Sequence, residues 1–372
     1  MKIGDSRMKK YLKHRYGIND LREVKGALLK NCFDFFLTKG RRQPIENSHE
    51  DELWTSSIDP FLFDTLKIKQ SKAYRRLMSK TQVFVNTENC HVGNRFKHTC
   101  EVEANAIILA EMLGLNTHLV QAIAVGHDIG HGPFGHLGEQ IFFDNNQQAF
   151  KHDVFGVVLA QKIERTGRGL NLSYEVLEGI SLHSGKIEII KGKPLEYSIV
   201  RLADKIAYIF SDINDIIRNG LMPCEEISRL VNEFGSTQRE RTGRVLAEII
   251  VESARAGRLV FAETELGEKF IALKDLMYER VYRQIDHQIH REAVRCAYGL
   301  LQDLYYGQEQ VLWPILTDRE VNELTSMAMR SRKVIASDIR HFGVYEIADS
   351  FRQAGRQLNE INVSELDLNW SN

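Results

Sequence analysis

The chain has 372 residues, 43% hydrophobic and 27% charged, the makeup of a soluble globular protein long enough for one large core or two smaller ones. Its 49 Lys and Arg nearly balance 50 Asp and Glu, which excludes a global field for nucleic acid or membrane and makes any anion site local. Five scattered cysteines (Cys32, Cys90, Cys100, Cys224, Cys296) without CxxC spacing read as reduced thiols, and no uninterrupted apolar run reaches membrane-spanning length, so a cytoplasmic protein with no membrane contact is expected.

The first fifty residues begin basic (Lys9, Lys10, Lys13, Arg15) and turn polar, with a loop at Gly40-Arg41-Arg42-Gln43-Pro44. A solvated arm or a homo-oligomer contact is expected there, with an arm for single-stranded nucleic acid as the alternative. Between Ala73 and Phe84 the cations Arg75, Arg76 and Lys80 crowd a short span, which suits a surface or an anion better than a core. Asn86 to Asn94 reads as a loop. Arg95-Phe96-Lys97-His98-Thr99 then opens a helix, in which Val102, Ala106, Leu109, Ala110 and Leu113 recur at three and four.

A second apolar helix, Leu119 to Val125, delivers the densest stretch of the chain. Gly126 to Glu139 holds three histidines, two acids and five glycines. Adjacent side chains diverge by roughly 100° on a regular helix, so His127 and Asp128 converge on one ion only where a helix ends. Gly130, Gly132 and Pro133 supply that ending. A borderline nitrogen ligand beside a hard oxygen ligand suits one divalent ion such as Mn2+, Mg2+ or Fe2+.

Gly138 to Phe143 starts another helix with Glu139 in its first turn, and Phe150-Lys151-His152-Asp153 opens one running through Ile163. Val176 to Leu182 is helical and ends at His183. In the longest helix Leu202, Ile206, Ile209, Ile213 and Ile216 form the buried stripe, while Asp204, Tyr208 and Asp212 form a second row at i, i+4, i+8. Cys224 to Ile250 reads as helical and charged, Arg255 to Lys269 as irregular, Leu273 to Tyr306 as one or two long helices, and Asp318 to Gly355 as further amphipathic helices. No strand alternation and no internal repeat appears, so the fold class is all-α.

The order His98, His127-Asp128, Asp204 on helices resembles the HD superfamily of metal-dependent phosphohydrolases. Arg75-Arg76-Leu77 with Lys80-Thr81-Gln82-Val83-Phe84, Arg95-x-x-His98-Thr99, the run from His127 to Glu139, and Asp204-Lys205-Ile206-Ala207-Tyr208-x-x-x-Asp212 resemble its deoxynucleoside triphosphate triphosphohydrolases of the dGTP triphosphohydrolase type. Tyr278-Glu279-x-Val281-Tyr282 is consistent with them. The resemblance implies an HD-domain helical bundle with additional C-terminal helices: an N-terminal arm over 1–58, the HD core over 59–220 and a C-terminal helical region over 221–372.

It further implies His98, His127, Asp128 and Asp204 as ligands of one divalent ion. His136 and Glu139 match an acid–base pair, and His152 a histidine facing the phosphates. Gln82 and Val83 match the nucleoside pocket, Arg95, Lys205, Tyr208 and Arg280 phosphate contacts, and Asp212 a sugar-hydroxyl contact. One departure is Cys90-His91-Val92-Gly93-Asn94, where many relatives carry a further arginine at the place of Gly93. The implied partners are deoxynucleoside triphosphates, cut at the α-phosphorus to deoxynucleoside and tripolyphosphate. The alternatives are a nucleotide monophosphatase or phosphodiesterase on the same fold, or a silent nucleotide-binding regulator. His131 and His183 read as loop histidines bonded to backbone, with a second metal as the other option.

Overall fold

The computed structural model describes residues 3–33, 58–84, 91–146, 150–165, 167–218, 223–283, 288–304 and 313–322. Among these the structure is helical, and the lone β-bridge pairs Thr81 with Asn94. The amphipathic helices expected beyond Asn322 lie outside the described residues. The described chain falls into two compact units.

The first unit is drawn from Met1–Leu37, Cys100–Ala124 and Gly185–Gln284. It contains α1 (Ile3–Tyr16), most of α4 (Arg95–Leu113) and of α5 (Thr117–Gly126), α9 (Leu195–Arg218), α10 (Glu225–Phe234), α11 (Gln238–Ala256) and α12 (Glu265–Met277). All five stripe residues of α9 are buried, as are Tyr197 and Phe210 on its other sides, and α9 packs on α11. Phe210, Phe234, Phe270 and Phe261 stack edge to edge with ring centroids 5.5–6.2 Å apart. Each such ring contributes roughly 2–3 kcal/mol by burial, which fixes α9 and the acidic row it carries. Leu12 and Tyr16 of α1 form a further cluster with Ala247 and Val251 of α11.

The helical stretch expected over Cys224 to Ile250 is divided into two helices. Gly235 sits at φ 136, open to glycine alone, and Thr237 caps α11 by accepting from the Glu240 amide at 3.2 Å. The irregular stretch expected at Arg255–Lys269 is shorter, because α11 runs to Ala256, where Gly257 (φ 64) ends it, and Thr264 caps α12.

The second unit is drawn from Thr38–Thr99, Val125–Ser184 and Ile285–Asn372. It contains α2 (Pro60–Gln70), α3 (Lys72–Arg76), α6 (Gly135–Asn146), α7 (His152–Val158), α8 (Tyr174–Ser181), α13 (Gln288–Leu304) and a short turn at Trp313–Ile315. Asp59 caps α2 ahead of Pro60, accepting from the Phe61 amide at 2.8 Å. α7 packs on α8 and α6 on α13, where Tyr298 touches Phe142 and Trp313. Gly130 lies so close to α7 that a Cβ there would run into the His152 carbonyl oxygen and the Gly156 nitrogen. That close approach brings the start of α7 to the turn after His127-Asp128. α6 begins at Gly135, three residues earlier than expected, after Phe134 (φ 55) and Gly135 (φ 51) reverse the chain.

Candidate metal centre

His98 sits one turn into α4, and α5 ends at Gly126, so His127 and Asp128 leave the last turn of one helix beside the first turn of another. All three are buried. His98 Nε2 is 3.4 Å from His127 Nε2 and 3.8 Å from Asp128 Oδ2, and His127 Nε2 is 3.4 Å from Asp128 Oδ1. Ligand atoms about 2.1 Å from one ion, at angles of 90–109°, stand about 3.0–3.4 Å apart. Two imidazole nitrogens facing each other in a buried site make a poor hydrogen bond but a good pair of donors to a cation. The donor set, two nitrogens and a carboxylate, fits a divalent ion.

Asp128 has more than the ion to balance it. The Arg95 guanidinium donates from Nη1 to Asp128 Oδ2 at 3.0 Å with both groups buried, and His131 Nε2 lies 3.3 Å from Oδ1. Burial alone would raise the Asp128 carboxyl, but His127, His131 and Arg95 together hold it well below its ordinary value. Arg95, expected on a phosphate, is thus placed on a carboxylate. It also reaches the Gln82 carbonyl at 3.5 Å. Gln82 and Val83 are half-buried beside it.

A second group adjoins the first. Glu139 Oε1 lies 3.1 Å from His152 Nδ1 and 3.3 Å from His131 Nδ1, and the His131 and His152 rings stack at 3.6 Å, 15° from parallel. Stacked imidazoles cannot both be charged cheaply, and the surroundings split them. Burial, aided by Arg95 and His152, pushes His131 down to about 4. For His152 burial works the same way, but the Glu139 bond and charge outweigh it and raise the ring above its ordinary value. His183 donates from Nδ1 to the Ile180 carbonyl at 2.7 Å, which leaves its Nε2 to accept from His152 Nε2 at 3.3 Å. Ser184 Oγ lies 3.3 Å from the same His152 atom.

His136 is in the first turn of α6, and its side chain lies outside the described residues. His131 was expected to be a backbone-bonded loop histidine; its ring instead links Asp128 to Glu139. Its i+3 spacing from Asp128 was the available signal. Lys80, expected on a surface, is fully buried, because its Nζ donates to the His131 and Pro314 carbonyls.

In the first unit, α9 carries the acidic row. Asp204 accepts from Lys205 Nζ at 2.8 Å, and Lys205 lies 5.5 Å from the centre of the Tyr208 ring. Asp212 Oδ2 accepts from Tyr282 Oη at 2.7 Å, and Tyr208, Tyr278 and Tyr282 make an aromatic cluster beside it. Burial, with the Asp212 charge, raises the Tyr282 hydroxyl well above its ordinary value, so it remains a donor. Arg280 is half-exposed, with Nε 3.6 Å from Glu279.

Fold and site define an HD-domain protein: residues 95–209 match the HD domain family model. A deoxyguanosinetriphosphate triphosphohydrolase-like protein of Clostridium tetani is 39% identical over 254 residues, 66% of this chain and 71% of that relative. Proteins of the same description from Caldanaerobacter subterraneus and Geobacter sulfurreducens are 35% identical over 294 residues (78% and 84% of the two chains) and 38% identical over 368 residues (84% and 90%). The chain belongs to this deoxyguanosinetriphosphate triphosphohydrolase-like family of HD-domain phosphohydrolases. Among the described residues no helix is long and apolar enough to cross a membrane.

Proposed function

We propose that the chain is a metal-dependent hydrolase of deoxynucleoside triphosphates that cuts at the α-phosphorus. The observation that carries this reading is the joining of two groups at Asp128: three buried ligand atoms within 4.8 Å of one another, and beside them a Glu139–His131–His152 set. His98, His127 and Asp128 would hold one divalent ion, with Asp204 as the fourth ligand on the family motif. When bound, the ion lowers the pKa of a water and offsets charge on the α-phosphate.

The residues do the rest. Neutral His131, its basicity lowered, bridges Asp128 and Glu139 without adding charge beside Asp128. His152, its proton held more firmly beside Glu139 and its ring oriented by Glu139 and His183, faces the phosphates or donates the proton that the departing 5′-oxygen needs. Water adds to the α-phosphorus, the bond to the 5′-oxygen breaks, and the products are deoxynucleoside and tripolyphosphate. His136 stays a proton-transfer candidate on the motif. Lys205 and Arg280 are the proposed phosphate cations, Arg95 being held on Asp128, and Gln82 and Val83 the base-side contacts. Asp212, which accepts from Tyr282, is the proposed contact for a 3′-hydroxyl. With Tyr208 packed near C2′, an extra hydroxyl is crowded, which favours deoxyribose. A preference for guanine is proposed from the names of the relatives.

The test is product analysis with each dNTP and its ribonucleotide in Mn2+. Deoxynucleoside and tripolyphosphate in equal amounts, with dNTP favoured at least about tenfold in kcat/KM, is expected, because an unpaired or crowded hydroxyl costs about 1.4 kcal/mol or more. dNMP with pyrophosphate, or dNDP with phosphate, would refute cleavage between the α-phosphorus and the 5′-oxygen.

A further inference from the structure

The turn from Gly132 to Gly135 leads into α6 and so sets where that helix carries Glu139, yet its backbone is costly. Phe134 is a non-glycine residue at φ 55, a conformation that persists only where surroundings over-determine it. What determines it comes from far along the chain. The Phe134 amide donates to Asp318 Oδ1 at 2.7 Å, and the other oxygen of the same carboxylate, Oδ2, accepts from the Thr81 amide at 2.8 Å. Asp318 is buried, so neither bond is competed for by bulk water.

Two more bonds fasten the same strap. Trp313 Nε1 donates to the Gly138 carbonyl at 3.2 Å, one residue before Glu139, and Lys80 Nζ reaches both the Pro314 and the His131 carbonyls. The segment held on the other side, Thr81-Gln82, is the one whose carbonyl meets Arg95, which in turn holds Asp128. One carboxylate therefore fixes the spacing between the Gln82 segment and the turn that carries His131 toward Glu139.

We infer that Asp318 is a positioning residue: the strap Trp313–Asp318 sets Gln82 on one side and Glu139 with His131 on the other at working distance, without touching substrate. This rests on the reading that the His127–Glu139 turn is the catalytic one. His98, His127 and Asp128 sit at helix ends that Asp318 does not touch, so the strap governs turnover and leaves the ion's affinity alone.

Asp318→Asn keeps the size and forces an amide NH2 against one of the two N–H donors. Trp313→Phe keeps an aromatic ring but removes the hydrogen bond together with part of the buried indole. For each full-length variant, amide hydrogen exchange over residues 131–139, Co2+ affinity by absorption, and kcat and KM for dGTP well below the melting temperature are measured. In Asp318→Asn we expect faster exchange in that stretch, Co2+ affinity within threefold of wild type, and kcat reduced at least tenfold; Trp313→Phe moves the same way by less. A lowered melting temperature with wild-type exchange and kinetics would overturn the inference. If Asp318→Asn does not fold, Trp313→Phe decides by the same readouts. If the wild type hydrolyses no dNTP, the functional reading falls by itself, and unchanged exchange over 131–139 still overturns the strap.

Discussion

Lys80 shows how one buried charge is tolerated near the centre. Its ammonium is fully buried with two carbonyl acceptors and no carboxylate among its recorded hydrogen-bond partners. Burial first, then Arg76 and Arg95, push it down to about 7 from an ordinary 10.5. Between pH 7 and 10.5 the unfolded chain therefore binds a proton that the folded chain does not, and stability rises with pH; below pH 7 the cost of the buried charge is present in full. Lys80→Met removes this dependence. In urea unfolding from pH 7 to 9, wild type should gain on Lys80→Met by up to about 1.4 kcal/mol per pH unit. A difference constant across that range would mean the two carbonyls keep the ammonium charged throughout. Residues linked this way are hard to read from sequence: Lys80 looks like a surface cation until a carbonyl 234 positions away is known to face it.

At the scale of elements, the helix ends make the site, and Gly130 is where two of them meet. Its missing Cβ lets the turn lie on the start of α7, which puts His152 over His131. Gly130→Ala must push the backbone of α7 away, because the atoms in the way are the His152 carbonyl and the Gly156 amide rather than a mobile side chain. A loss of about 1–3 kcal/mol is expected from such overpacking, together with a drop in kcat beyond what the lost folded fraction explains. Urea unfolding and turnover on the same preparation test this; wild-type values for both would mean the turn and α7 have slack. Much of this layer was legible. The three-and-four spacing marks α4 and α9, and the Gly-Pro run after Asp128 marks the helix end that lets His127 and Asp128 converge. The break at Gly235 has a signal in the sequence, since no apolar residue falls between Phe234 and Val245 and Thr237 precedes Glu240 at cap spacing, but the φ of the corner itself was not legible. Nor were the partners of Phe134 and Asp212, Asp318 and Tyr282, which lie 184 and 70 residues away and obey no local period.

For the whole molecule, the proposed ion would be a folding ligand as well as a chemical one. His98 is carried by α4, and His127-Asp128 follow α5, so the three donors come together only in the folded chain. A cation that binds the native state alone stabilises it by about 2.7 kcal/mol at a hundredfold excess over its Kd. Without the ion, Asp128 still has Arg95 at 3.0 Å and His131 at 3.3 Å, which spares the apo-protein an uncompensated buried charge. The apo-protein should therefore stay folded and simply melt earlier. After chelation, returning Mn2+ to that excess is expected to raise the melting temperature by about 5 °C or more, at roughly 2–4 °C per kcal/mol for a chain of this size. Asp128→Ala removes one donor and leaves Arg95 without its carboxylate, so that variant should melt below the wild type and respond little to Mn2+. Asp204→Ala tests the fourth ligand in the same scan: a blunted Mn2+ response with no turnover supports it, and a full response with wild-type turnover removes it from the set. If wild type and Asp128→Ala gain equally from Mn2+, the ion binds elsewhere and the three buried donors need another explanation.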